Sequence, residues 1–393
     1  MTPAARSYLD HNATSPLRPE ARAAMLDVLD APGNASSVHG EGRAARARLE
    51  QARGAVAALF GAPKSAVVFT SGATEANALA LTPALEIAGK PVTCDVLLAS
   101  AVEHPSVMRG HRFPDGAVEW LPVDGEGLLR LDALEDTLAR HRAAGRMALV
   151  SVMAANNETG VIQPLAEIAR IAHAHGAVVH CDAVQAAGRI ALDMDALGLD
   201  MVTLSSHKLG GPQGAGALVV RHPDTRAATP LIGGGGQERS RRGGTENVAA
   251  IVGFGAAAAR ARQGLEPEAA RLADLRARFE TGLRARFPDA AVAGAGAPRL
   301  PNTICAMFGR IRAETLVIAL DLSHVSVSAG SACSSGKVAA SHVLSAMGIE
   351  ADLAAGAIRL SLGWSSTERD VDAALDALEK AVPALRARGA RAA

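Results

Sequence analysis

The sequence of 393 residues is short of cysteine, of net charge and of long apolar runs. Its four cysteines, Cys94, Cys181, Cys305 and Cys333, are dispersed and lack CxxC spacing, so neither a disulfide framework nor a resident metal site is indicated. Lys plus Arg and Asp plus Glu each total 40, so no net charge recruits nucleic acid or an anionic membrane. We therefore expect no direct nucleic-acid partner and no membrane partner.

The apolar segments are also too short for export or membrane insertion. Residues 1–10 contain no apolar core of a signal peptide. The longest apolar stretch, residues 249–259, is mainly Ala and Gly and is shorter than a bilayer requires. These absences predict a soluble, cytoplasmic protein in a reducing compartment.

Lysine is rare as well, because only five of the 40 basic residues are Lys. Lys208 follows the apolar run 201–204, which predicts a position at the carboxyl end of a buried strand, where open α/β sheets bind ligands. A buried Lys can lose its proton and act as a nucleophile or base, whereas Arg stays protonated. From this residue alone, a functional amine and an ordinary surface lysine remain equal alternatives.

Short β-rich runs alternate with helical patterns between residues 55 and 220. The predicted strands are 66–70, 96–99, 118–121, 147–153, 177–181, 201–204 and 217–220, and the predicted helices begin at 71 and span 131–142 and 164–175. This alternation predicts an α/β fold with a mostly parallel sheet sandwiched by helices.

Beyond residue 245 the pattern changes to that of a smaller α+β domain. Helices are predicted over 248–286, 313–321 and 368–388, and strands over 302–308 and 357–362. We therefore predict a large domain over residues 16–258, and a small domain formed by 1–15 and 259–393.

Three motifs follow predicted strands and offer groups for an anionic, planar ligand. Ser71-Gly72-Ala73-Thr74 opens a helix and is either a phosphate cup or an ordinary N-cap. Asp182 ends a strand and would either pair with a protonated ring nitrogen or cap the backbone. His104 could stack on a planar ligand or shuttle a proton, although a lone His is usually structural.

Three loops leave their own alternatives open. The Gly- and Arg-rich segment 233–245 either binds an anion or is a solvent-exposed surface loop. The polar segment 156–160 either turns the chain or presents amides to a ligand. The small-residue segment around Cys333 predicts an exposed, potentially reactive thiol, whereas the other three cysteines are predicted to be structural.

The phosphate cup, strand-end carboxylate, imidazole and lysine are together the parts of one pyridoxal phosphate (PLP) site. The sequence resembles the cysteine desulfurases, in the class V group of fold-type I PLP enzymes. The motifs that carry the resemblance run over nearly the whole chain, at 8–14, 36–39, 69–80, 103–104, 156–164, 180–188, 205–211, 234–248, 328–336 and 358–364. The segment Ser331-Ala332-Cys333-Ser334-Ser335-Gly336 resembles the nitrogen-fixation and iron–sulfur-cluster assembly type.

The resemblance implies a role for each matching position. Lys208 would hold PLP as a Schiff base, Asp182 would pair with its ring nitrogen, His104 would stack on the ring, and Gln185 would bind its phenolic oxygen. The phosphate would be held by Ala73, Thr74, Ser205 and His207, with Thr245 of the partner subunit in a homodimer. Asn157 and Arg359 would orient the substrate carboxylate. Two departures, His11 and Ala35, would lie near the substrate entrance.

The implied activity is conversion of L-cysteine to L-alanine, with the sulfur passed to Cys333 as a persulfide. His104 is then the candidate base for the thiol. The acceptors would be an iron–sulfur scaffold or other sulfur-acceptor proteins, and Cys333 could transiently ligate a nascent cluster. The alternatives are another class V aminotransferase, a selenocysteine lyase, or a non-catalytic sulfur-carrier scaffold.

Overall fold

The computed structural model describes residues 6–31, 33–330 and 341–392. The strands in these ranges are β1 Ser7–Tyr8, β2 Val67–Thr70, β3 Ala84–Ile87, β4 Lys90–Thr93, β5 Val96–Ser100, β6 Val118–Leu121, β7 Ala148–Ser151, β8 Val178–Asp182, β9 Met201–Ser205, β10 Gly216–Val220, β11 Arg226–Ala227, β12 Ala291–Val292, β13 Thr303–Met307, β14 Val325–Ser326, β15 Ser328–Ala329 and β16 Ala357–Ser361. The helices are α1 Pro19–Leu29, α2 Gly40–Ala57, α3 Ala73–Ala80, α4 Pro105–Met108, α5 Leu131–Ala143, α6 Leu165–Ala174, α7 Val248–Gln263, α8 Leu265–Arg286, α9 Ala313–Leu322, α10 His342–Ala346, α11 Ala351–Ala355 and α12 Glu368–Ala392. Cys333 lies outside the described residues.

The largest sheet has seven strands in the order β2-β10-β9-β8-β7-β5-β6. Strands β9, β8, β7, β5 and β6 are parallel, and β10 runs antiparallel to both of its neighbours. All residues of β5 and β7–β10 are buried, which explains their continuous apolar runs. The predicted α/β class with a mostly parallel sheet is therefore confirmed.

Strand β10 runs antiparallel to β9 because the connection between the two strands is short. A parallel crossover needs a dozen or more residues, usually including a helix. Between Ser205 and Gly216 the chain makes only a 3₁₀ turn, Ser206–Lys208, and a short loop. Gly216 consequently pairs with both Ser205 and Thr70, so the carboxyl ends of β9 and β2 lie at the same edge of the sheet.

The helices α1, α2 and α7 pack together over one end of this sheet. Their packing requires a small residue, because a Cβ on Gly255 would lie 2.5 Å from the Cα of Ala52. The single helical stretch predicted over 248–286 is wrong, since Gly264 ends α7 and precedes α8. Pro267 stands in the first turn of α8, where its missing N–H costs nothing, and it could not continue a helix from α7.

A four-stranded antiparallel sheet, β12-β13-β16-β15, forms the centre of the second part of the fold. Leu9 from the N-terminal segment joins a core with Phe279 and Phe308, and α8, α9 and α12 supply most of the other members. Ala261 packs in the core around the large sheet and Leu272 packs in this second core. The exact domain boundaries after residues 15 and 258 stay a prediction.

Candidate functional site

A cavity of about 500 Å³ opens at the carboxyl ends of β2, β8 and β9. Ten of the residues that the sequence singled out line it: Ala73, Thr74, His104, Asn157, Asp182, Gln185, Ser205, His207, Lys208 and Arg359. Most of these residues come from strand ends of the large sheet and from the turns that follow, where parallel strands of one sheet converge, whereas Arg359 lies inside β16 of the smaller sheet.

One end of the cavity is built to hold an anion. The first N–H groups of α3, at Ala73 and Thr74, have no partner inside the helix, and the positive end of the helix dipole lies there. Gly216 makes room for this turn, because a Cβ on it would lie 2.5 Å from the carbonyl carbon of Gly72. Burial and the nearby ammonium of Lys208 lower the pKa of His207 to about 4, so its ring lines the cavity in the neutral form.

Asp182 lies at the end of β8 and is held by two donors. Its Oδ1 accepts from the backbone N–H of Val184 at 3.0 Å, and its Oδ2 accepts from Asn77 Nδ2 at 2.9 Å. The carboxylate therefore caps the backbone, as one of the two alternatives predicted, and it also lines the cavity, whereas its pairing with a ring nitrogen stays a prediction. Asn77 was missed, although it lies one helical turn after Ala73 on the buried face of α3.

His104 precedes α4 and caps its first turn. Its Nδ1 accepts from the backbone N–H of Ser106 at 3.1 Å and lies 2.7 Å from the Ser106 hydroxyl oxygen. An accepting Nδ1 leaves the proton of the neutral ring on Nε2. Burial lowers the pKa of His104; Asp182 opposes this shift, and Lys208, His342 and Arg359 add to it.

Lys208 ends the 3₁₀ turn after β9 and points back to the N-terminal segment. Its Nζ donates to the backbone oxygens of Asn12 and of Ala13, the latter at 2.8 Å. Asn12 is buried and donates to Thr303 Oγ1 at 2.9 Å, which ties this segment to β13. Asn12 thus belongs to the wall of the site, and no local sequence signal indicated that contact.

The opposite wall carries a buried guanidinium. Arg359 in β16 donates to the backbone oxygen of Asn157 at 3.0 Å and to Asp10 Oδ1 at 2.8 Å. Its Nε is buried and has no hydrogen-bond partner among the described residues. Asn156 accepts from the backbone N–H groups of Glu158 and Thr159, so the 156–160 segment turns the chain while Asn157 faces the cavity.

Three expectations have different outcomes. Thr245 does not line the cavity of its own chain and lies in an adjoining cavity of about 200 Å³, which shares Ser71 and Gly214 with it. His11 is only 1% exposed, contacts Ser15 through a 3.0 Å hydrogen bond and does not line the cavity, and its place near the substrate entrance stays a prediction. Ala35 is buried as well.

The described cysteines are all buried, as a structural role requires. Burial raises the pKa of Cys94 and of Cys305 to about 12, so both stay protonated thiols at neutral pH. In the part of the chain that the structure describes, no three His, Cys, Asp or Glu side chains are grouped as a metal site would need. Nor does any helix there have the length and apolarity to cross a bilayer.

Comparison with known proteins places this geometry in context. The family model described as aminotransferase class-V matches residues 7–374. The IscS-like cysteine desulfurase of Mycobacterium tuberculosis (strain ATCC 25618 / H37Rv) is 43% identical over 387 residues, covering 97% of each chain. A cysteine desulfurase of Cereibacter sphaeroides is 44% identical over 388 residues, again covering 97% of each.

Solved structures show the same likeness. The NifS-like protein from Rickettsia africae ESF-5 has a TM-score of 0.84 and 35% identity, covering 96% of this chain and 99% of that one. The structure titled "SspA in complex with cysteine" has a TM-score of 0.75 and 28% identity, covering 91% and 98%. The predicted fold-type I architecture is confirmed by these likenesses. Since the family model spans most of its length, the chain belongs to the aminotransferase class-V family.

Proposed function

We propose that the protein is a PLP-dependent cysteine desulfurase that converts L-cysteine to L-alanine and transfers the sulfur to Cys333 as a persulfide. The observation that carries this proposal is the meeting of Lys208, Asp182 and His104 in one cavity at the strand ends. The similarity to proteins named cysteine desulfurases, over nearly the whole chain, supports the same activity.

The residues of the cavity fit the cofactor. Class V aminotransferases depend on PLP in general. An anion cup at the start of α3, a carboxylate at Asp182 and a primary amine at Lys208 provide for the phosphate, the ring nitrogen and the aldehyde of this molecule. Ser205 and His207 would add donors at the phosphate, His104 would lie on the ring, and Gln185 would reach the phenolic oxygen.

The bound cofactor supplies an electron sink that makes the Cα proton of an attached amino acid acidic. The amine of Lys208 would accept this Cα proton. Asp182, held by Asn77 and the Val184 N–H, keeps a proton on the ring nitrogen through its negative charge. Because both partners of Asp182 donate, the orientation of its carboxylate is fixed.

Substrate orientation would come from Arg359 and Asn157. The guanidinium is buried, is held by Asp10 and by the backbone oxygen of Asn157, and lines the cavity, where it could donate to a carboxylate. Asp10 is in turn fixed by the Ser328 hydroxyl at 2.8 Å. A bound α-carboxylate would therefore meet a donor whose position is set before the substrate arrives.

Sulfur leaves the site through Cys333 in this proposal. Its thiolate would attack the sulfur of the substrate and form the S–S bond of a persulfide on Cys333, while the Cβ–S bond breaks and leaves its electron pair on the substrate carbon skeleton, which is protonated to alanine. Iron–sulfur scaffold proteins or other sulfur acceptors would then take it. We further propose a cytoplasmic homodimer, in which Thr245 of the partner subunit completes the phosphate site.

Turnover of L-cysteine under dithiothreitol tests this function. We expect sulfide and alanine in equal amounts, and loss of sulfide release in Cys333→Ala with the cofactor absorbance retained. Cys94→Ala is the matched control, because that thiol is buried and protonated. Sulfide release by Cys333→Ala at the unsubstituted rate would refute the proposed role of Cys333. Pyruvate or no product in place of alanine would refute the activity itself.

A further inference from the structure

Arg189 contacts Gln185 in a way that permits only one orientation of the glutamine amide. Nη1 of Arg189 donates to the side-chain oxygen Oε1 of Gln185 and to its backbone oxygen, each at 2.6 Å. A guanidinium has donors only, so the amide atom facing it must be oxygen. The amide nitrogen of Gln185 is therefore turned away from Arg189, and it donates to the backbone oxygen of Asn12 at 3.1 Å.

The local fold is built to put Arg189 there. Gly188 has a φ of +69°, and a Cβ on it would lie 2.6 Å from Cδ2 of Leu209 and 2.9 Å from Cβ of Ala261. The turn at this glycine brings Arg189 back over the residue four positions earlier. Its Nη2 also reaches the backbone oxygen of Lys208 at 3.5 Å. Arg189 thus links the two chain segments that carry Gln185 and Lys208.

The guanidinium keeps its charge although it is buried. Arg189 is 9% exposed, and burial lowers its pKa to about 10 while the carboxylate of Glu268 opposes the shift. At neutral pH the group is still protonated and remains a donor. It therefore holds the amide of Gln185 in one orientation at every pH at which the protein would work.

We propose that Arg189 is a positioning residue, which locks Gln185 as a hydrogen-bond donor toward the phenolic oxygen of the cofactor. This inference rests on the proposed PLP-dependent function. Without Arg189, only the 3.1 Å hydrogen bond to the backbone oxygen of Asn12 would hold the amide of Gln185, so the amide could more readily turn and present its oxygen, which would repel the phenolic oxygen. Arg189 itself does not line the cofactor cavity, so its effect passes through Gln185.

The pH dependence of the cofactor's visible absorbance reports this contact directly. The proton of the linkage to Lys208 is shared with the phenolic oxygen, and a donor from Gln185 competes for that oxygen. Loss of the donor should therefore raise the pKa read from the absorbance. We expect Arg189→Met to raise it by about one unit, the size of one neutral hydrogen bond. Arg189→Lys, which keeps a charged donor, should restore most of the difference.

A double-mutant cycle separates positioning from the direct effect of a lost charge. Gln185→Ala should raise the same pKa, and Arg189→Met should add nothing further in the Gln185→Ala background. An equal shift by Arg189→Met in both backgrounds would overturn the inference. Arg18→Met is the matched control, since Arg18 is a buried cation that pairs with Glu268 and is predicted to leave the pKa unchanged.

Failure of the inference is distinguishable from failure of the function. An unsubstituted protein without cofactor absorbance would refute the proposed function, whereas normal absorbance with an unshifted pKa in Arg189→Met would refute the inference alone. If Arg189→Met does not fold, Arg189→Leu replaces it, because its side chain cannot donate to Gln185. A raised pKa in Arg189→Leu supports the inference, and an unchanged pKa overturns it.

Discussion

The side-chain amide of Asn77 donates a 2.9 Å hydrogen bond to the carboxylate of Asp182. Its second hydrogen goes to the hydroxyl of Ser106 at 2.9 Å, and its oxygen accepts from Thr203 at 2.5 Å. Every hydrogen-bonding atom of this fully buried amide is thus in use. Asn77 connects two groups that are proposed to contact the cofactor ring. It binds Asp182 directly and reaches His104 through Ser106.

Replacing Asn77 should weaken cofactor binding. Asn77→Ala removes a donor from the Asp182 carboxylate, so the negative charge that would pair with the ring nitrogen is less well oriented. We expect PLP to bind about tenfold more weakly, as measured by absorbance titration of the cofactor-free protein. Asn302→Ala is the control, because it also removes a fully buried asparagine side chain. It should change the affinity for PLP less. Equal losses in the two variants would contradict the specific role of Asn77.

Gly216→Ala should disrupt the phosphate cup. The new Cβ would lie 2.5 Å from the carbonyl carbon of Gly72 and 2.9 Å from the Ala73 nitrogen, both of which are backbone atoms. Because backbone cannot move aside as a side chain can, the start of α3 must shift. We expect a loss of PLP affinity of at least tenfold, measured by dialysis and absorbance. Gly40→Ala, whose Cβ meets nothing within 4 Å, should bind PLP normally.

Glu158 should make stability fall as pH rises. Burial raises its pKa to about 7, opposed by the Ser341 hydroxyl that donates to it at 2.5 Å and by Arg359. Its ordinary pKa in the unfolded chain is 4.5, so between pH 4.5 and 7 the folded state holds the proton more tightly. Raising the pH through this window costs roughly 3 kcal/mol of stability.

Glu158→Gln isolates this dependence, because the amide is neutral at all pH values and still accepts from Ser341. We expect the difference in melting temperature, variant minus unsubstituted protein, to increase by a few degrees from pH 5 to pH 8. Scanning fluorimetry measures this difference. A constant difference across that range would show that Glu158 does not change its protonation.

The ion pair between Arg53 and Glu238 should be important for stability. Both side chains are buried, the guanidinium and carboxylate are joined at 2.6 and 2.8 Å, and Glu238 also accepts from the Phe69 N–H at 2.9 Å. Glu238 opens a run of three residues with positive φ, which this pair holds against β2. Glu238→Gln removes the buried counter-charge of Arg53 and leaves it only the partly exposed Glu50 at 3.0 Å, so it should cost about 2 kcal/mol in urea unfolding.

The exposed pair of Arg130 and Asp132 provides the control for that prediction. Its side chains are 54% and 63% exposed, so solvent screens the interaction. Asp132→Asn should leave the unfolding midpoint unchanged. Similar destabilisation by Asp132→Asn and Glu238→Gln would contradict the account of Glu238 as a buried anchor.

The sequence predicted the strands of the large sheet within a few residues, and the reason is physical. Strands β2, β5 and β7–β10 are buried on both faces, so they appear as short, largely apolar runs, and the polar residues that end or follow β8 and β9 lie at the cavity. Asp182 and Lys208 were found in this way. The β3–β4 hairpin was missed because its turn, Ala88-Gly89, lacks the usual Asn-Gly or Asp-Gly signal and both residues have positive φ.

Contacts between distant segments could not be predicted from the local pattern. Asn77 binds partners that are 29, 105 and 126 residues away, on three different elements. Asn12 meets Lys208 only because the N-terminal segment crosses from one core to the other. Pro267, by contrast, was a visible sign that the helix predicted over 248–286 must be interrupted.

Reduction of the PLP-loaded protein with borohydride, followed by peptide mass analysis, tests directly whether Lys208 carries the cofactor. We expect the reduced cofactor on the peptide that contains Lys208, in about one copy per chain. With only five lysines in the sequence, each alternative site can be read separately. Cofactor fixed on another lysine, or on none, would contradict the proposal that the cavity at the strand ends is the catalytic site.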